Sequence, residues 1–177
     1  MSLDFVYLAS GSPRRRELLQ QIGISFRVIA AAVDETALLG EAPTAYVTRL
    51  AAAKADAGWK SNPEADRGTK AGHPPVLAAD TAVILDGKIL GKPADREDAE
   101  NMLRQLSGRT HEVLTAVAMR TADGLLSRIS RSEVTFRPIA ATEARAYWET
   151  GEPCDKAGAY AIQGRAAIFI ADLRGSY

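Results

Sequence analysis

The sequence is poor in the residues that staple or chelate: it has one cysteine, Cys154, and two histidines, His73 and His111, in 177 positions. One thiol builds neither an internal disulfide nor a cysteine zinc site. Neither histidine has a second histidine or cysteine at chelating spacing, so His73 reads as exposed and His111 as structural. Cys154 reads as a small packing residue. There is no excess of charge of either sign, since Lys+Arg and Asp+Glu both number 22, and no global field draws the chain to nucleic acid or an anionic membrane. Aromatic residues make up 6%, too few for a base-stacking surface. No apolar run approaches the roughly 18 residues of a membrane span, and MSLDFVYLAS lacks the basic start and long apolar core of a signal peptide. The expected setting is a reducing cytoplasm, with no nucleic-acid or membrane partner. Internal repeats, low-complexity segments and the GxxxxGK[ST] phosphate loop are also missing.

What remains is the composition of an ordinary globular protein, 46% hydrophobic and 25% charged, long enough to bury roughly 70% of its unfolded surface without a staple. One domain over residues 1–177 is expected. Asp4 to Ala9 reads as a strand. A helix follows, with Ser12 as its cap, Pro13 at its first position and Gly23 at its exit. Phe26 to Ala32 reads as a second strand, leading into Val33-Asp34-Glu35. From Thr44 to Ala57 the apolar positions Val47, Leu50, Ala51 and Ala57 recur near helical spacing, and Lys54 falls in the same stripe as the first three. Trp59 to Pro75 has loop composition and a length that suggests mobility. Val76 to Leu85 and Lys88 to Leu90 flank Asp86-Gly87, a strong hairpin signal that puts Asp80-Thr81 in or beside a strand. Ala99, Met102, Leu103 and Leu106 share a helix face that ends at Gly108. Val113, Thr115, Val117 and Met119 alternate along a strand that turns at Asp123-Gly124 into another ending near Phe136. Thr142 suits the cap of a short helix, Gly151 to Gly164 a turn-rich loop, and Ala166 to Leu173 a closing strand. Hairpins together with crossovers predict a mixed sheet.

Three features carry chemistry. Ser10-Gly11-Ser12-Pro13-Arg14-Arg15-Arg16 puts three arginines at the positive end of a helix, where each costs roughly 0.3 to 1 kcal/mol unless an anion offsets it. A phosphate there would meet backbone N–H groups, serine hydroxyls and arginine forks together. Locally, the arginines could equally splay into solvent or pair with Glu17. Asp80 lies in an apolar run and needs a cation or donors. A divalent ion would serve, and so would the backbone N–H groups of a strand end. Asp34-Glu35 offers further hard oxygen ligands, or is an ordinary acidic turn. Lys54, Lys92 and Lys156 each suit a snorkelling surface lysine, yet together with the arginines they could neutralise a triphosphate.

In this order LASGSPRRRELL, VDE, AADTAV, GKPAD, LSGRTHEVLTAV and GEPCDKAGAYAIQG resemble the blocks of the Maf family of nucleoside triphosphate pyrophosphatases, named from septum-formation inhibition. The resemblance runs from Leu8 to Tyr177. It implies an α/β (α+β) fold of three layers, with a long mixed sheet flanked by helices and a cleft between two lobes, like that of Maf and ITPase proteins, often as a homodimer. It also implies hydrolysis of a nucleoside triphosphate to the monophosphate and pyrophosphate with Mg²⁺ or Mn²⁺. Carried over residue by residue, Asp80 matches the proton acceptor, Glu35 with Asp80 the metal side, and Ser10, Arg14, Arg15, Lys54 and Lys92 the phosphate-binding set. Arg14, Thr81 and Gln163 match the positions that choose the base. Two departures stand out: the stretch before AADTAV is longer than in relatives, and relatives continue past Tyr177 through a Val-Gly-Leu-Pro segment into a further helix.

The AYAIQG block resembles the branch acting on dTTP and UTP. The Gln163 amide has donors and an acceptor for the alternating edge of uracil or thymine, although it could instead tie its loop to the final strand. The alternatives are a pyrophosphatase for purine or modified nucleotides such as 7-methyl-GTP, and a non-catalytic nucleotide-binding regulator of division.

Overall fold

The computed structural model describes residues 5–62 and 73–176. Its helices are α1 (Pro13–Gln21), α2 (Pro43–Lys60), α3 (Arg96–Leu106) and α4 (Ala141–Glu149). Its strands are β1 (Val6–Leu8), β2 (Phe26–Val28), β3 (Val76–Leu85), β4 (Lys88–Leu90), β5 (Thr110–Thr121), β6 (Gly124–Phe136) and β7 (Ile170–Arg174). They form a seven-stranded sheet in the order β2-β1-β3-β5-β6-β7, with β4 also on β3. β1 runs parallel to β2 and β3, while β3/β4 and β6/β7 are antiparallel. The sheet is mixed, as hairpins plus crossovers require. Among the described residues no helix is long and apolar enough to cross a membrane.

The chain divides into two compact units, residues 1–80 with 116–129, and residues 81–115 with 130–177. In the first, α2 buries Val47, Leu50, Ala51 and Ala55, so Ala55 takes the buried place expected of Ala57, which is half-buried. Lys54 rides beside that stripe, which brings a cation to the edge of an apolar surface. The helix continues through Trp59 and Lys60, so these two are not loop residues. It ends at Lys60, where the Ser61 N–H donates to the Ala57 carbonyl at 3.0 Å. Positions 63–72 of the expected loop lie outside the described residues. A Cβ on Gly58 would come within about 3 Å of Ile29, Val76 and Ala9, so glycine there lets α2 approach the strands closely. His73 is half-buried, contrary to expectation, because its ring lies 3.8 Å from that of Trp59.

The second unit packs Val83, Leu103, Leu106, Phe136, Tyr147, Tyr160 and Phe169 into one cluster. Gly158 combines φ +66 with a site where a Cβ would meet the Val83 side chain at 2.9 Å, so neither a left-handed side chain nor extra volume is tolerated. His111 is buried, with Nε2 2.7 Å from the Tyr160 hydroxyl and its ring edge-on to Phe136.

Several boundaries differ from the sequence reading. β2 stops at Val28. On β5 the buried residues are His111, Leu114, Ala116 and Ala118, while Val117 is exposed. β-branched residues suit a strand on either face, so their alternation marks the period without saying which face turns inward. Thr142 lies inside α4, whose entry is held by the Glu143 carboxylate accepting from the Ala140 N–H at 2.9 Å. Arg165–Phe169 forms a 3-10 helix, and β7 starts only at Ile170. Cys154 is exposed, because Pro153 is the buried member of the Glu152–Asp155 turn.

Candidate active site

In the first unit β1 ends directly before the serine and arginine loop. Ser12 occupies the cap position of α1 but its side chain makes no capping bond. Ser10, almost fully buried, does more: its Oγ accepts from the Ser12 N–H at 3.2 Å and from Arg15 Nη1 at 3.0 Å. The first turn of α1 has no acidic residue of its own. Arg14 bridges at 3.2 Å to Glu17 one turn on, and both are exposed. Arg15 turns inward instead. Burial pulls its guanidinium below the ordinary arginine value, and attraction to Asp80 and Glu35 opposes the shift.

Lys54 joins the remaining groups. Its Nζ lies 2.6 Å from Asp80 Oδ1 and 2.6 Å from Glu35 Oε1. The Lys54 and Asp80 side chains are 12% and 10% exposed, whereas Glu35 is 41% exposed. Burial works against the Lys54 ammonium, but its hydrogen bonds to the two carboxylates and their charge outweigh it and hold the group above the ordinary lysine value. Asp80 also moves up, because burial exceeds the opposing pull of Lys54 and Arg15, with Glu35 adding like-charge repulsion. The two shifts are compatible: one ammonium serves two carboxylates, so Asp80 receives only a share of its attraction. A carboxylate raised in this way is a better proton acceptor than a free aspartate.

The donor set fits a divalent cation. Two carboxylate oxygens already converge on one positive nitrogen, both are hard donors, and half-exposed Glu35 leaves one side to solvent. Mg²⁺ is commonly held by one or two carboxylates, with water and substrate oxygens completing the shell. Among the described residues no group of three or more His, Cys, Asp or Glu could hold a metal ion.

Sequence reasoning missed the residues that hold Glu35. Tyr46 on α2 donates from its hydroxyl to the Glu35 carbonyl at 3.0 Å, and Arg49 one turn later donates to the Thr36 carbonyl at 3.1 Å. Arg49 also grips Glu41 through two bonds of 2.6 and 2.7 Å, and Asp34 accepts from the Thr36 N–H at 2.9 Å. The Arg49 guanidinium holds Glu41 down to about pKa 2. A tyrosine and an arginine three apart on a helix were visible, but no local pattern indicates that they reach the backbone of residues 35 and 36.

Thr81, Lys92 and Gln163 belong to the second unit. Thr81 Oγ1 lies 3.0 Å from Thr115 Oγ1, Lys92 is exposed in the segment after β4, and Gln163 is half-buried in the turn before the 165–169 helix. Lys156 is paired with Asp155.

Relatives share this chain almost end to end. A dTTP/UTP pyrophosphatase of Aromatoleum aromaticum is 53% identical over 97% of this chain and 86% of its own. Proteins of the same name from Saccharophagus degradans and Chromobacterium violaceum are 50% and 48% identical, over 97% of this chain and 80% and 85% of theirs. Among solved structures, the Ham1 protein of Staphylococcus aureus aligns at 18% identity with a TM-score of 0.48, over 77% of this chain and 72% of that one. The model of the Maf-like proteins matches residues 5–177, and the chain therefore belongs to the Maf family.

Proposed function

We propose that the protein hydrolyses dTTP and UTP to the monophosphate and pyrophosphate. The observation that carries the reading is the near end-to-end identity of about half with relatives bearing that name. The Glu35–Lys54–Asp80 group beside a cationic loop supports the chemistry. Ser10, Arg14, Arg15, Lys54 and Lys92 bind phosphate oxygens and draw off the negative charge that builds on the leaving pyrophosphate. Asp80, partly desolvated, takes a proton from the water whose oxygen attacks the α-phosphorus as the bond to the bridging oxygen breaks. Glu35 and Asp80 would hold Mg²⁺ or Mn²⁺, which when bound neutralises phosphate charge and acidifies a water. Arg14, Thr81 and Gln163 choose the base. A site built to pair a uracil edge rejects cytosine, because each buried group left unpaired costs roughly 1 to 3 kcal/mol.

The test is a panel of dTTP, UTP, CTP, GTP and 7-methyl-GTP with Mg²⁺, scored for monophosphate and pyrophosphate. A kcat/KM preference for dTTP and UTP supports the reading, and preference for a purine overturns the substrate while sparing the chemistry. Absence of pyrophosphate release with every nucleotide overturns the enzyme reading. A homodimer in a cytoplasmic setting belongs to the same proposal, and sedimentation at working concentration tests the dimer.

A further inference from the structure

The second unit contains a carboxylate that accepts from two backbone N–H groups just after Gln163 and from one tyrosine hydroxyl. Glu152 opens the turn after α4. Its Oε2 accepts from the Arg165 N–H at 3.0 Å, and its Oε1 from the Tyr147 hydroxyl at 2.6 Å and the Ala166 N–H at 3.4 Å. The Tyr147 hydroxyl in turn accepts from the Ala161 N–H at 3.1 Å. Between these anchors the Gly164 N–H closes onto the Ala161 carbonyl at 2.9 Å. The segment 161–166 is therefore fastened at its start by Tyr147 and at its end by Glu152, and Gln163 sits between the two fastenings.

Gly164 explains why the carboxylate fits. A Cβ there would lie 2.4 to 2.6 Å from the Glu152 carboxylate, although the backbone at 164 is at φ −114, which other residues adopt freely. The glycine supplies room for Glu152, and any larger residue would push the carboxylate off its donors. Tyr147 is itself buried, with its ring edge-on to Phe169 at 5.4 Å, so the anchor rests on the apolar core. Burial pushes Glu152 up, but its hydroxyl and backbone donors outweigh this and hold it below the ordinary glutamate value, so it stays ionised at working pH.

We propose that Glu152 is a positioning residue for base choice: by fixing the 161–166 backbone directly and through Tyr147, it sets the orientation in which the Gln163 amide meets the pyrimidine edge. The inference rests on Gln163 reading the base. An amide has directional donors and acceptors, so a small rotation of its turn exchanges a match for a mismatch. A loose support shell around a binding group degrades selectivity before it degrades folding.

The test measures kcat/KM for UTP and CTP in the full chain, with thermal melts as the fold control. Glu152→Gln keeps the shape but turns an NH₂ toward N–H donors, and Gly164→Ala displaces the unaltered carboxylate. Each should lower the UTP:CTP ratio by roughly tenfold, the worth of about one directed hydrogen bond, chiefly through KM for UTP. The double variant should lose no more than either single one, because both break the same contact. Tyr147→Phe, which deletes one hydroxyl, should give a smaller drop and serves if Glu152→Gln does not fold. Gln163→Ala separates the two claims. If it lowers the ratio while Glu152→Gln and Tyr147→Phe only lower the melting temperature, Glu152 is merely structural and the proposal is overturned with base reading intact. An unchanged ratio in Gln163→Ala overturns base reading and the proposal together.

Discussion

At the scale of single residues, Lys54 has two duties that compete. Its ammonium balances Glu35 and Asp80, yet the proposed reaction needs it on phosphate, and in that proposal a bound metal ion would take over the balancing. Lys54→Met leaves two carboxylates facing each other. The cost is on the order of 2 kcal/mol, below that of a fully buried pair because Glu35 reaches solvent. Mg²⁺ should then raise the melting temperature of Lys54→Met more than that of the wild type, and equal responses would remove Glu35 and Asp80 as the metal side. Asp80→Asn keeps the shape but removes the base, and turnover of dTTP should fall by roughly 10²-fold to 10⁴-fold. Near wild-type turnover by the folded variant takes Asp80 out of the mechanism.

At the scale of elements, α2 is both floor and clamp. Its buried stripe fixes it to the strands, and from its exposed side Tyr46 and Arg49 reach the backbone of residues 35 and 36. Glu35 thus sits on a connecting segment but is held from a helix, which suits a group that must meet a cation at a fixed place. Replacing Arg49 by alanine releases Thr36 and Glu41 together. The expected result is a rise of roughly tenfold in the Mg²⁺ concentration needed for half-maximal activity, the worth of one charge-assisted hydrogen bond, with the circular dichroism spectrum unchanged. A metal titration reads this directly, and an unshifted midpoint would show that the clamp does not govern Glu35.

At the scale of the whole molecule, stability should depend on pH through a buried histidine of the second unit. His111 is buried against Phe136 and Tyr160, its Nδ1 has no hydrogen-bond partner among the described residues, and burial lowers its pKa to about 4. The unfolded chain takes up that proton near pH 6.5, so the unfolded state binds more protons between the two values. Stability should fall as pH drops from about 6.5 to 4, by on the order of 3 kcal/mol from this group, with no contribution above that window. Urea unfolding at several pH values measures the slope. His111→Gln, which keeps a polar partner for the Tyr160 hydroxyl, should flatten it, and an equally steep slope in that variant would place the acid sensitivity elsewhere.

The amino-acid sequence by itself determined what is local or ordered along the chain. The Asp86-Gly87 hairpin with the bounds of β3 and β4, the buried stripes of α2 and α3, and the mixed character of the sheet all follow from periods and turn residues a few positions apart. Six motifs in one order were enough to point to the family. Only the tertiary structure decided that one ammonium serves Glu35 and Asp80, that Arg15 turns inward while Arg14 stays on the surface, that Arg49 and Tyr46 hold residues 35 and 36, and that Glu152 fastens the turn of Gln163. It also buried Leu114, Ala116 and Ala118 on β5 and left Val117 exposed. Periodicity states how often a side chain points one way. Which way is inward, and which charges share a partner there, depends on neighbours brought together by packing, and burial then sets how strongly each charge is felt.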